Sequence, residues 1–376
     1  MDSRERWIEA ELAELRQAQR FRRAVAPPPG LLNFSSNDYL DLAQHPDVLA
    51  AAARALHAAG AGATASRLVS GTLPLHEELE ARLARLKGYP AALLFGSGYL
   101  ANLGILGALV GRDDRVFADR LAHASLMDAA VLARAELLRF RHNDAQHLDE
   151  LLQKNPGAGR KLVVTESVFS MDGDMAPLPE LAAVAQKNGA LLLVDEAHAT
   201  GVFGPGGSGL IREYQLESAV NLSMGTLSKA LGGYGGFVAC SEAMRALLVN
   251  RARAFIYTTA PPPAAVGAAL GALDVLEKNP GWGTELLKHS AAFRDQLRAD
   301  GFDVMQSASQ IIPIQVGANA CALELAEKLR TAGLLAIAIR PPTVPEGTAR
   351  LRLSVTLAHS EDDLARAAEV IRAALR

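Results

Sequence analysis

A lysine preceded by small and hydroxyl residues and followed by glycines stands in Gly225-Thr226-Leu227-Ser228-Lys229-Ala230-Leu231-Gly232-Gly233. A lysine amine in such a setting can form a Schiff base with an aldehyde cofactor, while nearby hydroxyls and backbone N–H groups hold the cofactor's phosphate. Thirty-four residues earlier (229 − 195), the apolar run Ala190-Leu191-Leu192-Leu193-Val194 ends in Asp195-Glu196-Ala197-His198. An aspartate at the end of a buried strand can ion-pair with a pyridinium nitrogen. The two segments together point to pyridoxal phosphate (PLP).

Other segments carry more ambiguous chemistry. Phe95-Gly96-Ser97-Gly98-Tyr99-Leu100-Ala101-Asn102 follows an expected strand and opens an expected helix. Its glycines let backbone N–H groups approach a phosphate at the positive end of the helix. It also reads as G-x-G-x-x-A, with Asp119 at a suitable distance for a ribose. Dinucleotide, other phosphate and plain tight turn remain open for this segment alone. A nicotinamide-dependent oxidoreductase built on Gly96-x-Gly98 is therefore the rival reading, and it leaves the Lys229 and Asp195 segments unexplained. The DEAH at Asp195–His198 would suit a helicase only with an upstream G-x-x-x-x-G-K-[ST] loop, which this sequence lacks. Glu166-Ser167-Val168-Phe169-Ser170-Met171-Asp172-Gly173-Asp174 also follows an expected strand, and Gly173 reads as a turn. His123 could stack on a pyridine ring, and His198 could reach the edge of the same ring. His76, His142 and His359 are undecided. In Arg350-Leu351-Arg352-Leu353, an arginine inside an alternating strand is either a salt-bridge partner or a bidentate carboxylate clamp.

The elements that must position these groups follow from periodicity. Ile8, Leu12 and Leu15 share one face of a charged N-terminal helix, and Leu75, Leu79, Leu83 and Leu86 form a helical stripe stopped near Gly88. Strands are expected at 91–95, 115–118, 162–165, 191–195, 221–224 and 236–240, separated by helices. That alternation predicts an α/β fold, a mostly parallel sheet with helices on both faces. Ligand sites in such sheets lie beyond the carboxyl ends of the strands. After Pro261-Pro262-Pro263 a helix at 264–277 leads to shorter strands at 311–316, 335–339 and 351–355 and a closing helix at 361–375.

Composition narrows the class. The 376 residues are 49% apolar and 21% charged, with a formal net charge of −3. This suits a globular enzyme of two domains and gives no electrostatic reason for nucleic acid or an anionic membrane as partner. Cys240 and Cys321 read as reduced core thiols, with neither a disulfide nor a metal site expected. The charged start of the chain does not read as a secretory signal, and the apolar run 103–110 is far short of the roughly 20 residues needed to span a bilayer. A cytoplasmic protein is expected.

The motifs FGSGYLAN, ESVFSMDGD, DEAHATG and GTLSKALGG, with Asn33-Phe34-Ser35-Ser36-Asn37-Asp38-Tyr39-Leu40 and Ser66-Arg67-Leu68-Val69-Ser70-Gly71, closely resemble those of the α-oxoamine synthases, a branch of the fold-type I PLP enzymes. The likeness spans almost the whole chain. Within that branch, Ala338–Ser354 resembles the acyltransferases that join L-alanine to a pimeloyl thioester, carried on CoA or on acyl carrier protein, in biotin biosynthesis. Glycine C-acetyltransferases, aminolevulinate synthases and serine palmitoyltransferases are the other members in view.

The resemblance implies an aspartate aminotransferase-like fold, a large doubly wound domain plus a smaller C-terminal α/β domain. It places an N-terminal arm at 1–45, the PLP-binding domain at 46–274 and a small domain at 275–376 that packs with the arm. It also implies roles. Lys229 would carry the cofactor and Asp195 would pair with its ring nitrogen. His198 and Ser170 would contact the 3′-oxygen, and His123 would stack on the ring. Gly98, Tyr99 and Thr226 would hold the phosphate, with Thr258 or Thr259 contributed by a partner subunit. Arg352 would bind the amino acid carboxylate, and Arg22, Asn37 and Thr343 would line the substrate site. A homodimer with shared active sites is implied, and no metal. Thr64, Ala65 and Ala199 stand where relatives often carry glycine.

Overall fold

In the computed structural model, which describes residues 3–374, the chain forms two compact units. One comprises Asn37–Ser170 and Asp174–Leu287. The other takes the segments up to Ser36 and from Lys288 onward, together with Met171–Gly173.

The larger unit is built on a seven-stranded sheet. Its spatial order is Ala91–Phe95, Gly236–Cys240, Leu222–Thr226, Leu191–Asp195, Lys161–Glu166, Arg115–Asp119 and Glu136–Phe140. Gly236–Cys240 runs antiparallel to both of its neighbours; the remaining pairings are parallel. The central strands are runs of Leu and Val because helices cover both of their faces. Leu162, Val164, Leu193, Leu222 and Val238 are fully buried in one core with Ile105 and Leu106 of the helix Gly98–Leu109. The expected strands all form. Glu136–Phe140, at the sheet edge and half exposed, is an addition: its ELLRF follows the helix Ala124–Ala133 so closely that it reads as more helix.

Helix packing here uses small residues. Cβ atoms added at Gly267 and Gly271 of Pro263–Lys278 would stand 2.4 Å from Ala55 Cβ and 2.7 Å from Ala51 Cβ of Pro46–Ala59. The helix Pro74–Lys87 ends at Gly88 in a left-handed cap (φ 75°), where the leucine stripe stops. Thr64 holds a left-handed φ of 60°, a conformation that glycine adopts more readily than threonine.

The second unit contains a three-stranded antiparallel sheet in the order Ile337–Ile339, Ala349–Ser354, Ile311–Gly317. Leu32–Asn33 pairs in parallel with Leu334–Leu335. Phe34 then stacks on His359 at 4.1 Å, which gives that histidine a packing role. Gly173, at φ 68°, is the turn expected of it; a Cβ there would meet the Ile311 carbonyl oxygen at 2.0 Å. Cys240 is buried, but Cys321 is exposed and not in the core. The buried stripe of its helix is Ala322, Leu325 and Leu329, one position out of phase with the cysteine. Among the described residues no helix is long and apolar enough to cross a membrane.

One buried ion pair ties the larger unit together. Lys87 Nζ lies 2.5 Å from Glu196 Oε2, with both side chains almost wholly buried. Lys87 also donates to Thr200 Oγ1 and the Ser208 carbonyl, and Glu196 accepts from Ser223 Oγ and the Ile211 amide. Removing one partner of such a pair strands the other charge, at a cost of about 3–5 kcal/mol. Lys87→Met is therefore expected to lower the urea unfolding midpoint accordingly. A midpoint equal to wild type would show that the pair contributes nothing to holding this unit.

Candidate active site

The parallel strands end at Asp119, Glu166, Asp195 and Thr226, and their carboxyl edge carries a cavity of about 210 Å³. One end of it is suited to an anion. Ser97 caps the helix Gly98–Leu109 by accepting from the Leu100 amide at 3.2 Å, so the helix N-terminus opens onto the cavity. A Cβ at Gly98 would stand 3.7 Å from Thr226 Cβ, in ordinary contact, so the missing side chain leaves space in front of these amides. Thr226 Oγ1 donates to the Gly235 carbonyl and shares a hydrogen bond with Ser228 Oγ, both at 2.8 Å. Tyr99 turns its phenol to Asp128, at 2.6 Å.

Lys229 lies in the same cavity, its Nζ 2.8 Å from His198 Nε2. His198 Nδ1 is 2.7 Å from the hydroxyl of buried Tyr39, and that hydroxyl donates to Asn37 Oδ1 at 3.2 Å. With the tyrosine proton directed to Asn37, Nδ1 would donate to Tyr39 and Nε2 would accept from the lysine; the other tautomer reverses both roles. The elements thus bring Asn37, His198 and Lys229 into one hydrogen-bonded line.

Asp195 is buried beside them. Its Oδ1 accepts from the Ala197 amide at 2.9 Å and its Oδ2 from Asn102 Nδ2 at 3.0 Å. Asn102 also donates to Ser125 Oγ at 2.9 Å, and that hydroxyl lies 2.8 Å from His123 Nδ1. His123 borders the cavity with its ring exposed to it, and desolvation by the surrounding protein lowers its imidazole pKa, against the pull of Asp195. Glu166 is paired in register with Asp195 at the end of the next strand. Burial, reinforced by Asp195, raises its carboxyl well above the carboxylate range. Its Oε2 accepts from the Ser170 amide at 3.2 Å. Ser97, Asn102, Ser125, Glu166, Ala197, Met224 and Ser228 line the cavity although none of them had an individual role in the sequence reading. Each stood inside or beside a quoted motif, but in runs where such a residue equally suits a strand, a cap or a turn.

Asp119 has another role than the ribose contact of the rival reading. Its carboxylate accepts from the Leu121 and Asn143 amides, both at 2.8 Å, and lies 3.0 Å from His142 Nδ1. His142 Nε2 is 2.7 Å from Asp174 Oδ2. The imidazole thus bridges the segments that follow three strands, which settles the undecided histidine as a clamp. His76 is also structural, accepting from the Leu73 amide and bonded to the Pro261 carbonyl.

In the other unit, Arg22 donates to Thr343 Oγ1 at 3.2 Å. Arg350 and Arg352 are both buried in Ala349–Ser354. Arg350 is ion-paired with Asp172 and bonded to Thr348, while Arg352 donates to Ser354 Oγ at 2.8 Å.

Residues 29–371 match the family described as aminotransferase class I and II. An 8-amino-7-oxononanoate synthase of Geobacter sulfurreducens is 48% identical over 375 residues, covering 96% of this chain and 96% of its own. The chain belongs to the 8-amino-7-oxononanoate synthase family. Its fold is that of the fold-type I PLP enzymes. The serine palmitoyltransferase of S. paucimobilis, solved with a bound PLP–myriocin aldimine, superposes with a TM-score of 0.92 at 32% identity, covering 99% of this chain and 97% of that one. An 8-amino-7-oxononanoate synthase structure from Francisella tularensis gives 0.80 at 30% identity, covering 93% and 98%.

The His142 clamp has a pH signature. Burial opposes the imidazolium, but Asp119 and Asp174 outweigh it and raise the pKa to about 10. A folded-state pKa above the ordinary value of 6.5 stabilises the fold fully below that pH, and the contribution is lost as pH rises through about 10. Urea midpoints measured from pH 6 to pH 10.5 should fall more steeply for wild type than for His142→Asn. Parallel curves would show that His142 is not charged at neutral pH.

Proposed function

We propose that this chain catalyses the PLP-dependent decarboxylative condensation of L-alanine with a pimeloyl thioester, on CoA or acyl carrier protein, giving 8-amino-7-oxononanoate, CO2 and free thiol for biotin synthesis. The observation that carries the reading is one cavity holding the Lys229 amine, the Asp195 carboxylate and an open helix N-terminus, in a chain of this family. These groups fit PLP, which carries an aldehyde, a ring nitrogen and a phosphate. Two buried polar atoms bordering the cavity, Asn102 Oδ1 and Glu166 Oε1, have no partner among the described residues, as befits a site that receives a polar guest.

Gly98, Tyr99 and Thr226 would hold the phosphate, Asp195 the ring nitrogen, Ser170 and His198 the 3′-oxygen, and His123 the ring face. When bound, PLP supplies an aldehyde that captures an amine and a protonated ring that accepts the electron pair released at a neighbouring carbon. Asp195 keeps that nitrogen protonated. Lys229, once displaced by the alanine amine, takes the proton from alanine Cα and later returns one. His198, bonded to the lysine amine, holds it in place. Alanine Cα bonds to the thioester carbonyl carbon, the thiol leaves, and the alanine carboxylate departs as CO2. Arg352 orients that carboxylate through its guanidinium fork, with Arg22, Asn37 and Thr343 lining the substrate site. Arg350, already paired with Asp172, is structural.

The enzyme works as a cytoplasmic homodimer with shared sites. Exposed apolar side chains in the larger unit, including Val69, Val131, Leu132 and Tyr257, support that assembly. The higher TM-score goes to a serine palmitoyltransferase, but the 48% identity goes to an 8-amino-7-oxononanoate synthase. Alanine is therefore the amino acid expected. Turnover of alanine, glycine and serine with acetyl, pimeloyl and palmitoyl thioesters tests the choice, and a preference for serine with palmitoyl would overturn it.

Arg352→Lys keeps the charge but loses the fork, so it should raise the alanine KM about tenfold or more, the loss expected for one charge-assisted hydrogen bond. Arg350→Lys should act on stability and leave that KM near wild type. The reverse pattern in steady-state kinetics would assign the clamp to Arg350. Lys229→Ala should abolish turnover, and borohydride reduction of the wild type should label Lys229 alone.

A further inference from the structure

We propose that Asn102 and Ser125 form a hydrogen-bond relay from Asp195 to His123, which fixes His123 as the neutral imidazole with its proton on Nε2 and prevents the Asp195 carboxylate from rotating.

The direction of every bond in the relay follows from its first member. A carboxylate oxygen accepts, so the Asn102 atom 3.0 Å from Asp195 Oδ2 is the amide nitrogen, which sets the orientation of the amide. The same Nδ2 gives its second hydrogen to Ser125 Oγ at 2.9 Å. Ser125 can then send its own hydroxyl hydrogen to His123 Nδ1 at 2.8 Å, and the Ser125 backbone N–H donates to that nitrogen at 3.2 Å. Two donors converge on Nδ1, so Nδ1 presents a lone pair and the ring proton resides on Nε2. An imidazolium would set N–H against N–H at this point. The surroundings agree in sign. Burial lowers the imidazole pKa most, Asp195 and Asp128 raise it, and Lys229 lowers it; these are the charged groups facing the ring.

The residue types support a purpose beyond packing. Asn102 and Ser125 are both fully buried. The Asn102 amide oxygen has no partner among the described residues, a cost that a leucine of similar shape would not carry. What the amide provides is its two donated bonds. Asp195, held on one oxygen by Asn102 and on the other by the Ala197 amide, is locked in its plane. Asn102 and Ser125 are thus positioning residues. Their purpose rests on the PLP reading above; the tautomer itself does not.

The test reads His123 directly. Protein labelled with 15N-histidine, with and without PLP, should show one His123 tautomer at pH 7.5, with unprotonated Nδ1 and protonated Nε2. Ser125→Ala should give mixed tautomers and raise the His123 titration midpoint by about one pH unit. Ser125→Thr, which keeps the hydroxyl, should restore the single tautomer. Asn102→Leu should also mix the tautomers and weaken PLP binding about tenfold in an absorbance titration, the loss of one hydrogen bond to a charged group. A protonated Nδ1 in wild type, or an unchanged Nε2–H tautomer in both Ser125→Ala and Asn102→Leu, would overturn the relay. Failure of wild type to bind PLP would defeat the proposed function while leaving the tautomer result to stand.

Discussion

Two consecutive carboxylates end a strand buried in the middle of the sheet, and the larger unit is arranged around satisfying both. Side chains alternate along the strand, so Asp195 and Glu196 make their bonds to different sets of partners. Glu196 meets a full cation, Lys87, together with a hydroxyl and an amide. Asp195 is supported by neutral donors, the Asn102 amide and the Ala197 N–H. The difference matters chemically. A carboxylate paired with a fixed lysine has its cation already, whereas one oriented by neutral groups suits the ring nitrogen of the proposed cofactor.

The same division between holding and reacting recurs at the rim. His142, between Asp119 and Asp174, ties together three strand-end segments. His123, four positions after Asp119 (123 − 119), has its imidazole pKa lowered by desolvation. Two histidines at one edge of one sheet are thus pushed in opposite directions: carboxylates on both sides raise the pKa of the first, while desolvation lowers that of the second.

Much of this was legible in the residues. The strand Leu191–Asp195, the lysine at 229 and the glycine turn at 96–98 carry local signals: apolar runs, a breaker and a cap. Those signals predict elements, and the sheet topology then gathers the strand ends. The partners were not legible in the same way. Asn102 meets Asp195 across 93 residues and Lys87 meets Glu196 across 109. Within its helix each looks like an ordinary polar residue. Glu136–Phe140 escaped because an edge strand lacks the two-sided apolar run of a central one. Cys321 was misplaced in the core because its neighbours are apolar, although the helical phase turns it outward.

The antiparallel strand has a consequence for how the molecule is made. Ala91–Phe95 pairs with Gly236–Cys240 and with no other strand of the sheet. Phe95 is opposite Gly236, 141 positions later (236 − 95). A chain leaving the ribosome at about 5–20 residues per second presents the first of these strands roughly 7–28 s before its neighbour in the sheet exists. The parallel strands between them can add to one another in the meantime, and the helix that begins at Gly98 can pack on Ala124–Ala133, but Phe95 has no backbone partner until Gly236 emerges. A nascent chain can pair the strands that end at Asp195 and Thr226 while the strand leading into the Gly98 turn still lacks its neighbour.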